Sequence, residues 1–249
     1  MKPTTLIREE LEGVWCIVLK DLKAYYFKPP NISWGILFPL VLALAFTLRK
    51  PSGLSDLAPG LVAMAALFGT TSMEAIVITF EKRVGALERL LLAPISLKSI
   101  LFSKVLGGSI FGLMISSIMT IISIGLLGVP IKHPSLFAVS LLLTVLTLSA
   151  LGSLVAVSVK EVFEAQTLSN YFRFPMIFLC GVFLPVESMP APLQWLAYAL
   201  PLTYSVKALR QTVIGPLQHA DLAFNIAALT LFFLLFITVA TRLLKKHLE

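Results

Sequence analysis

Six long apolar segments run through the sequence, and they restrict the possible folds more than any other feature. A helix rises about 1.5 Å per residue, so about 20 apolar residues cross the ~30 Å hydrocarbon core of a bilayer. Inside that core only helices satisfy their backbone hydrogen bonds within one segment, and runs of alternating polarity typical of barrel strands are absent from the sequence. We therefore predict an all-α integral membrane protein with six transmembrane helices. The segments are about Ile32–Leu48, Leu57–Phe80, Ile100–Val129, Ser135–Val159, Tyr171–Leu184 and Leu222–Ala240.

The composition also indicates a membrane environment. Hydrophobic residues make up 57% of the 249 residues, charged residues make up 13%, and the mean hydropathy is +0.92. Soluble domains usually carry about 25% charged residues. The formal net charge is +7, but the basic residues stand beside the apolar segments and are not gathered on one soluble face. We expect a single transmembrane domain over residues 1–249 and no nucleic-acid partner.

The positions of Lys and Arg predict the orientation in the membrane, because cytoplasmic loops carry an excess of both residues. With the N-terminus in the cytoplasm, 15 of the 20 basic residues fall on the cytoplasmic side. The five on the outer side are Arg49, Lys50, Lys132, Lys207 and Arg210. We therefore expect a multi-pass protein of the plasma (inner) membrane with both termini in the cytoplasm.

Residues 1–31 contain an amphipathic pattern that precedes the first apolar segment. Apolar residues recur there at helical spacing, and Pro29 and Pro30 follow. This pattern predicts an N-terminal amphipathic interface helix that lies flat on the inner leaflet. A soluble helix packed on a partner is the alternative, and the two are compatible. The recurring residues are Leu11, Val14, Val18, Leu22 and Tyr25.

Residues 185–221 are too polar and too rich in proline to span the membrane. Leu193, Leu196 and Leu200 nevertheless share one helical face, with Trp195 and Tyr198 nearby. Trp and Tyr are enriched at membrane interfaces. We predict two short outer re-entrant helices here, which would complete the short fifth span before the last span begins.

Residues 81–99 form the first long loop on the predicted cytoplasmic side. The loop predicts a short helix with one apolar face, limited by a proline on its C-terminal side. Such a helix is either a docking element for a partner or a solvated connection whose charges hold two spans in register. The face is formed by Val84, Leu87 and Leu91, the charges that point elsewhere are Glu81, Glu88 and Arg89, and the proline is Pro94.

Two motifs in this order resemble the ABC-2 type transporter permeases, including the drug and daunorubicin-resistance type. In FEKRVGALERLLLAPIS, a charged pair precedes Gly-x-Leu-Glu-x-Leu-Leu and a proline. The stretch from Phe178 to Arg210 contains Gly-x-Phe-x-Pro-x-Glu-x-Met-Pro followed by Leu-Pro-Leu-Thr-Tyr. The resemblance covers nearly the whole chain and is poorest in its N-terminal third.

The resemblance implies a permease subunit of an ABC exporter. Its implied partners are ATP-binding cassette ATPase subunits, membrane lipids, and a second permease subunit, either another copy, which would form a homodimer, or a relative. In that family the first cytoplasmic loop is a coupling helix that sits in a cleft of the ATPase, and the N-terminal helix supplies a second contact. The residues that inherit the coupling role are Glu81, Arg83, Gly85, Glu88 and Arg89.

The sequence reveals no catalytic machinery of its own. The phosphate-binding pattern G-x-x-x-x-G-K-[ST] is absent, so ATP and Mg are expected in the partner subunit and no cofactor in this chain. The three histidines, His133, His219 and His247, fall in loops or the tail and leave no general base for a serine within the spans. We expect neither catalytic residues nor a metal site.

Ionisable residues inside the predicted spans are informative, because burying a charge in the membrane is costly. Glu74 lies six residues before Phe80, about 9 Å from the inner end of its span. It either lines a translocation pathway or forms an intramembrane pair with Lys104 or Arg173, and pairing is favoured.

Small residues in the third span provide a packing motif. Gly108 and Gly112 form G-x-x-x-G, which allows close helix approach. Packing within one subunit is favoured over packing between two permeases.

The predicted function is ATP-driven export of an amphiphilic small molecule or lipid-like substrate. An ion-coupled transporter or channel that works without an ATPase is the alternative, and Glu74 is the feature in its favour. A membrane scaffold with the same fold is a third possibility. The identity of the substrate does not follow from the sequence.

Overall fold

The computed structural model of the protein describes residues 3–49, 54–93, 95–214 and 217–248. All regular structure within these ranges is helical, which confirms the predicted all-α architecture. In chain order the α-helices are α1 (Pro3–Asp21), α2 (Pro29–Arg49), α3 (Leu54–Arg83), α4 (Ala86–Leu91), α5 (Leu97–Leu127), α6 (Pro134–Ser158), α7 (Val162–Leu179), α8 (Ala191–Tyr198), α9 (Pro201–Val213) and α10 (His219–Leu248). A π-helical segment, Leu22–Tyr26, continues α1, and a 3₁₀ turn, Val186–Ser188, precedes α8.

Four of these helices, α3, α5, α6 and α10, are long and apolar enough to cross a membrane. They correspond to the second, third, fourth and sixth apolar segments of the sequence. Within α2, a shorter apolar stretch covers Asn31–Leu42. Helix α7 covers part of the fifth segment but begins at Val162, well before the predicted start at Tyr171. The chain is therefore a multi-pass membrane protein.

Helix α3 occupies the centre of the bundle, and α10 lies at its edge. Helix α3 packs against α2, α5, α6, α7 and α9, and residues 61–67 are each at most 2% exposed. Helix α10 packs mainly against α6 and α9 and exposes Phe224, Leu231 and Leu234 by more than half. An apolar face of this extent is stable when hydrocarbon covers it. Helix α3 is thus the core helix of the bundle, whereas α10 presents an apolar face suited to lipid.

Glycines bring α3, α5 and α6 close together. A Cβ atom added at Gly112 would collide with Thr70 of α3, and one added at Gly108 would collide with Glu74 of α3 and Ser149 of α6. The Gly-x-x-x-Gly motif of α5 therefore packs within the subunit, which confirms the favoured interpretation.

The same contact can be tested at Gly152 of α6. An added Cβ would lie 2.6 Å from the carbonyl oxygen of Thr71 and 2.8 Å from Cβ of Glu74, so the α3 backbone would have to move. We expect Gly152→Ala to destabilise the fold by about 1 to 3 kcal/mol, the usual cost of overpacking. Thermal unfolding in neutral detergent would measure this change.

Gly125→Ala is the matched control, because no atom lies within 4 Å of a Cβ added at this position of α5. Its unfolding temperature should be unchanged or slightly raised, since alanine favours helix over glycine. Equal losses in the two variants would contradict the packing account.

Candidate functional site

A sharp corner after α3 presents a short charged helix at one end of the bundle, here called the α4 end. Gly85 turns the chain with a φ of +68°, a left-handed conformation that glycine adopts at little cost. Leu87 of α4 is 5% exposed and packs among apolar residues of α1, α5, α6 and α10. Glu88 and Arg89 are exposed, and Arg89 Nε donates to the carbonyl oxygen of Gly85 at 3.3 Å. One face of α4 is thus anchored, and its charged face is accessible.

The predicted apolar face of this loop is present only in part. Leu87 is buried as expected, whereas Val84 is 45% exposed because it precedes the turn and does not belong to α4. The side chain of Leu91 and the whole of Pro94 lie outside the described residues.

The corner after α3 also contacts the corner between α6 and α7. Lys82 Nζ donates to the carbonyl oxygen of Val159 at 3.3 Å. Arg83 Nη1 lies 3.6 Å from Glu161 Oε2, with both side chains more than half exposed. An exposed pair of this kind contributes only ~0 to 1 kcal/mol. Arg83 therefore connects two corners loosely.

A buried group of four charges lies behind α4, and we call it the ionic cluster: Lys20, Asp21, Glu81 and Lys104. Lys104 Nζ donates to Asp21 Oδ2 at 2.8 Å and to Glu81 Oε2. Lys20 Nζ lies 3.0 Å from Asp21 Oδ1 and donates to Glu81 Oε1. The Asp21, Glu81 and Lys104 side chains are at most 1% exposed, and that of Lys20 is 40% exposed. Two acids and two bases balance each other.

The ionic cluster joins three helices, because its members come from α1, α3 and α5. Glu81 was predicted on an exposed loop but is fully buried in the last turn of α3, so it does not face a partner directly. Lys104 was predicted to pair inside the membrane, and its partners are Asp21 and Glu81. A sequence signal for Asp21 was available: it falls between Val18 and Leu22 in the apolar stripe of α1.

Glu74 lies on the same face of α3 as Glu81, two helical turns away, yet it belongs to a separate site. Tyr26 of the π-helical segment donates its hydroxyl to Glu74 Oε2. Ser153 Oγ of α6 donates to Glu74 Oε1 at 3.1 Å. The predicted pairing of Glu74 with Lys104 or Arg173 is thus corrected: its hydrogen-bond partners are two hydroxyl groups.

Arg173 belongs neither to the ionic cluster nor to the Glu74 site. It lies on α7, is 3% exposed, and donates from Nη2 to Ser72 Oγ of α3. Its guanidinium carbon lies 4.2 Å from the centroid of the Phe68 ring. The structure therefore separates the three predicted intramembrane residues into three different environments.

A cavity of about 460 Å³ opens at the opposite end of the bundle, between the polar face of α9 and the start of α10. Lys207 Nζ lies 2.8 Å from Glu187 Oε1 and 4.7 Å from the Tyr198 ring centroid. The hydrogen bond from Lys207 holds the pKa of Glu187 below its ordinary value. Arg210 Nη2 donates to the carbonyl oxygen of Gly181 at 2.9 Å. These bonds fix Lys207 and Arg210, two of the five basic residues predicted on the outer side, to the segment between α7 and α8.

Metal binding has no candidate site in the ranges that the structure describes. No group of three or more His, Cys, Asp or Glu side chains there is arranged to hold an ion.

Removal of the central lysine tests the ionic cluster. Lys104→Met leaves two buried carboxylates facing Lys20 alone, so we expect destabilisation of about 3 to 5 kcal/mol. Lys98→Met is the control, because Lys98 is an exposed lysine on the same helix.

The double variant Lys104→Met with Glu81→Gln should recover part of this loss, because it removes one carboxylate together with the lysine. The cycle consists of the wild type, Lys104→Met, Glu81→Gln and the double variant. Thermal unfolding of these four proteins in neutral detergent gives the coupling energy between the two residues. Strictly additive losses would show that the two residues do not interact.

Several known proteins are similar to this chain in sequence over most of its length. The chain is 26% identical over 205 residues to the probable multidrug ABC transporter permease YbhS of Escherichia coli (strain K12), an alignment that covers 80% of this chain and 54% of the relative. It is 24% identical over 188 residues to the inner membrane transport permease YadH of the same strain, with 76% and 73% covered. It is 28% identical over 191 residues to ABC transporter G family member 20 of Dictyostelium discoideum, with 74% and 26% covered.

The chain thus spans about half the length of YbhS and about a quarter of the Dictyostelium protein. A family model described as ABC-2 type transporter matches residues 12–214, which include the ionic cluster, α4, Arg173 and most of the cavity lining. The chain belongs to the ABC-2 type transporter family.

Proposed function

We propose that this chain is the membrane subunit of an ATP-driven exporter and moves an amphiphilic or lipid-like molecule across the plasma membrane. The observation that carries the proposal is the position of α4, which exposes charged residues while its Leu87 joins a buried apolar cluster with residues of α1, α5, α6 and α10. Energy comes from separate ATP-binding cassette subunits, where ATP and Mg bind. The family match and the names of the relatives, a probable multidrug ABC transporter permease and an inner membrane transport permease, support this function.

The proposed topology has six spans, with α2 and α7 added to the four long apolar helices. At 18 residues, α7 is about 27 Å long, close to the thickness of the hydrocarbon core. The α4 end faces the cytoplasm, as do both termini, and the cavity faces outward. Exposed Trp195 and Leu196 on α8 support its placement as a re-entrant helix in the outer interface.

Helix α1 is proposed to lie on the inner leaflet. Its buried residues pack toward α5, whereas Leu11, Trp15 and Leu19 recur every four residues and are 65%, 55% and 37% exposed. A stripe of this kind suits the boundary between headgroups and acyl chains. The ionic cluster then fixes a membrane-surface helix to the spans.

Coupling is proposed to act through direct contact with α4. Glu88 and Arg89 provide the charges that meet the ATPase. Gly85 sets the angle of the corner, Arg83 pairs with Glu161 at the start of α7, and buried Glu81 holds the base of the corner in the ionic cluster. Closure of an ATPase dimer shifts a membrane helix only through such a differential contact. A homodimer of the permease would bring two copies of α4 to two ATPases.

Glu88→Ala tests this proposal. Since Glu88 is exposed, we expect a normal unfolding temperature and normal assembly with the ATPase. The rate of ATP hydrolysis by the complex should fall about tenfold, which corresponds to an increase of ~1.4 kcal/mol in the activation free energy. The measurement is ATPase activity in proteoliposomes that contain the chain and a candidate ATP-binding subunit.

Asp56→Ala is the matched control, because Asp56 is an exposed acid at the opposite end of α3. It should behave as wild type. A Glu88→Ala complex that hydrolyses ATP and transports normally would remove Glu88 from the coupling contact, and the absence of any complex would count against the function itself.

An ion-coupled transporter or channel is the alternative, with Glu74 as its principal residue. Both carboxylate oxygens of Glu74 already accept hydrogen bonds from hydroxyl groups of the same subunit, which favours a structural role. Transport by the chain alone, abolished by Glu74→Gln, would favour the alternative.

A further inference from the structure

Arg173 is a buried charge at mid-depth in the bundle. It lies 11 residues after Val162, the first residue of α7, and its partner Ser72 lies 11 residues before Arg83, the last residue of α3. Both spacings place the guanidinium about 16 Å from the α4 end of the bundle. The side chain is 3% exposed.

No carboxylate balances this charge. Throughout the part of the chain that the structure describes, no acidic oxygen lies within salt-bridge distance of the Arg173 guanidinium. Its Nε atom is buried and has no acceptor. Glu74, two residues after Ser72 on α3, accepts its hydrogen bonds from Tyr26 and Ser153. What surrounds Arg173 is one hydroxyl group, from Ser72, and the Phe68 ring.

The contrast with the ionic cluster gives this observation its weight. There, each buried charge faces an opposite one. A guanidinium stays protonated in proteins and offers five N–H donors, so leaving it unpaired in a medium of low dielectric constant is costly. An ionisable residue left unpaired inside a helix bundle of a membrane protein is therefore a candidate functional residue.

A row of unsatisfied polar atoms leads to Arg173 along α7. Gln166 Oε1 and Ser169 Oγ are both buried without a hydrogen-bond partner, and they precede Arg173 by seven and four residues. This spacing places all three on the face of α7 that packs against α3. Long helical side chains lean toward the helix N-terminus, so the guanidinium of Arg173 leans toward Ser169. The row runs from the α4 end to mid-depth.

Apolar surface accompanies the charge. Phe68 lies against the guanidinium, and Phe172 and Phe174, the neighbours of Arg173 in sequence, are 38% and 49% exposed on the outside of α7. A buried positive charge and exposed aromatic surface therefore lie within a few residues of each other on α7.

We infer that Arg173, together with Ser72 and Ser169, binds the anionic group of the transported molecule. The ligand class is an amphiphile with one phosphate, phosphonate, sulfate or carboxylate head, the groups whose oxygens match the planar donors of a guanidinium. The assignment rests on the proposed function, because it names the substrate class of that permease.

Binding to the full-length chain in phosphatidylcholine nanodiscs tests the site without an ATPase. The probe is dodecyl phosphate, and dodecyltrimethylammonium at equal mole fraction is the control of opposite charge. Dodecyl phosphate should raise the unfolding temperature of the wild type in a saturable way, and the cationic analogue should not. Equal responses to both probes would overturn the assignment.

Arg173→Met should shift the half-saturating mole fraction of dodecyl phosphate at least about tenfold, the usual effect of losing a charge-assisted pair. Without probe, its unfolding temperature should be equal to or higher than that of wild type, because an unbalanced charge has been removed. A lower unfolding temperature with an unchanged response to the probe would make Arg173 structural and overturn the proposal.

Three further variants keep the test decisive. Arg173→Lys should retain part of the response because it keeps the charge, and Ser169→Ala should weaken it a few-fold without loss of fold. Arg242→Met, which removes an arginine near the end of α10, should respond as wild type. Wild-type affinity in both Arg173→Lys and Ser169→Ala would contradict the site even if Arg173→Met failed to fold.

Other sources of the anion have their own arms. Stabilisation by inorganic phosphate alone would overturn the amphiphile and leave a free-anion site. Equal stabilisation by phosphatidylglycerol at the same mole fraction would indicate a bound lipid and overturn the assignment to transported cargo.

The outcome is separable from that of the proposed function. If no ATPase assembles with the chain while Arg173 still controls binding of dodecyl phosphate, the exporter proposal fails and the anion site stands. If ATP hydrolysis depends on Glu88 but the probe binds equally to wild type and Arg173→Met, the reverse holds.

Discussion

The ammonium group of Lys104 sits between two buried carboxylates, and the arrangement of the whole α4 end depends on it. Asp21 comes from α1, Glu81 from the last turn of α3, and Lys104 itself from α5. Because each charge would be costly to bury alone, none of the three helices can shift along its axis without losing the compensation of the others. Lys20, partly exposed, completes the neutral set. The corner that carries α4 begins two residues after Glu81, so its position is fixed by the same contacts.

Farther along α3, uncharged contacts replace this ionic one. Gly108 and Gly152 provide the space in which the Glu74 side chain fits, and Tyr26 and Ser153 satisfy its oxygens. Tyr26 reaches the site because α1 continues as a π-helical segment before α2 begins. π-Helical segments are rare in proteins, and those that do occur are often found at functional sites. The ionic cluster and the Glu74 site are therefore connected through Asp21 and Tyr26, which are five residues apart in one continuous helical segment.

The all-helical fold was predictable from sequence, because the thickness of the bilayer forces long apolar runs, and a short helix in the loop after α3 was predictable from its apolar spacing. The left-handed turn at Gly85 that begins this helix was not predicted. The partners of the buried charges were not predictable. Asp21 and Lys104 are 83 positions apart, and the position of Asp21 within an apolar stripe indicates its burial but not its partner. A cation was expected as the partner of Glu74, because only charged residues stand out in a charge pattern. Its actual partners, Tyr26 and Ser153, are uncharged hydroxyl donors, which such a pattern does not reveal. The polar first turns of α7 conceal its start from hydropathy for the same reason.

Helix α3 has neighbours on every side and therefore differs mechanically from α10, which has lipid on one. A helix enclosed in this way cannot tilt or rotate by itself, since its side chains are interlocked with five others at the density of a protein interior. A displacement applied at the Gly85 corner would be transmitted along α3, which is about 45 Å long, 30 residues at 1.5 Å each. The turn that follows α7 lies against Gly60, near the other end of this helix. The two ends of this protein are thus connected by one continuous helix, and apolar exchanges on the outer face of α10 would leave that connection intact.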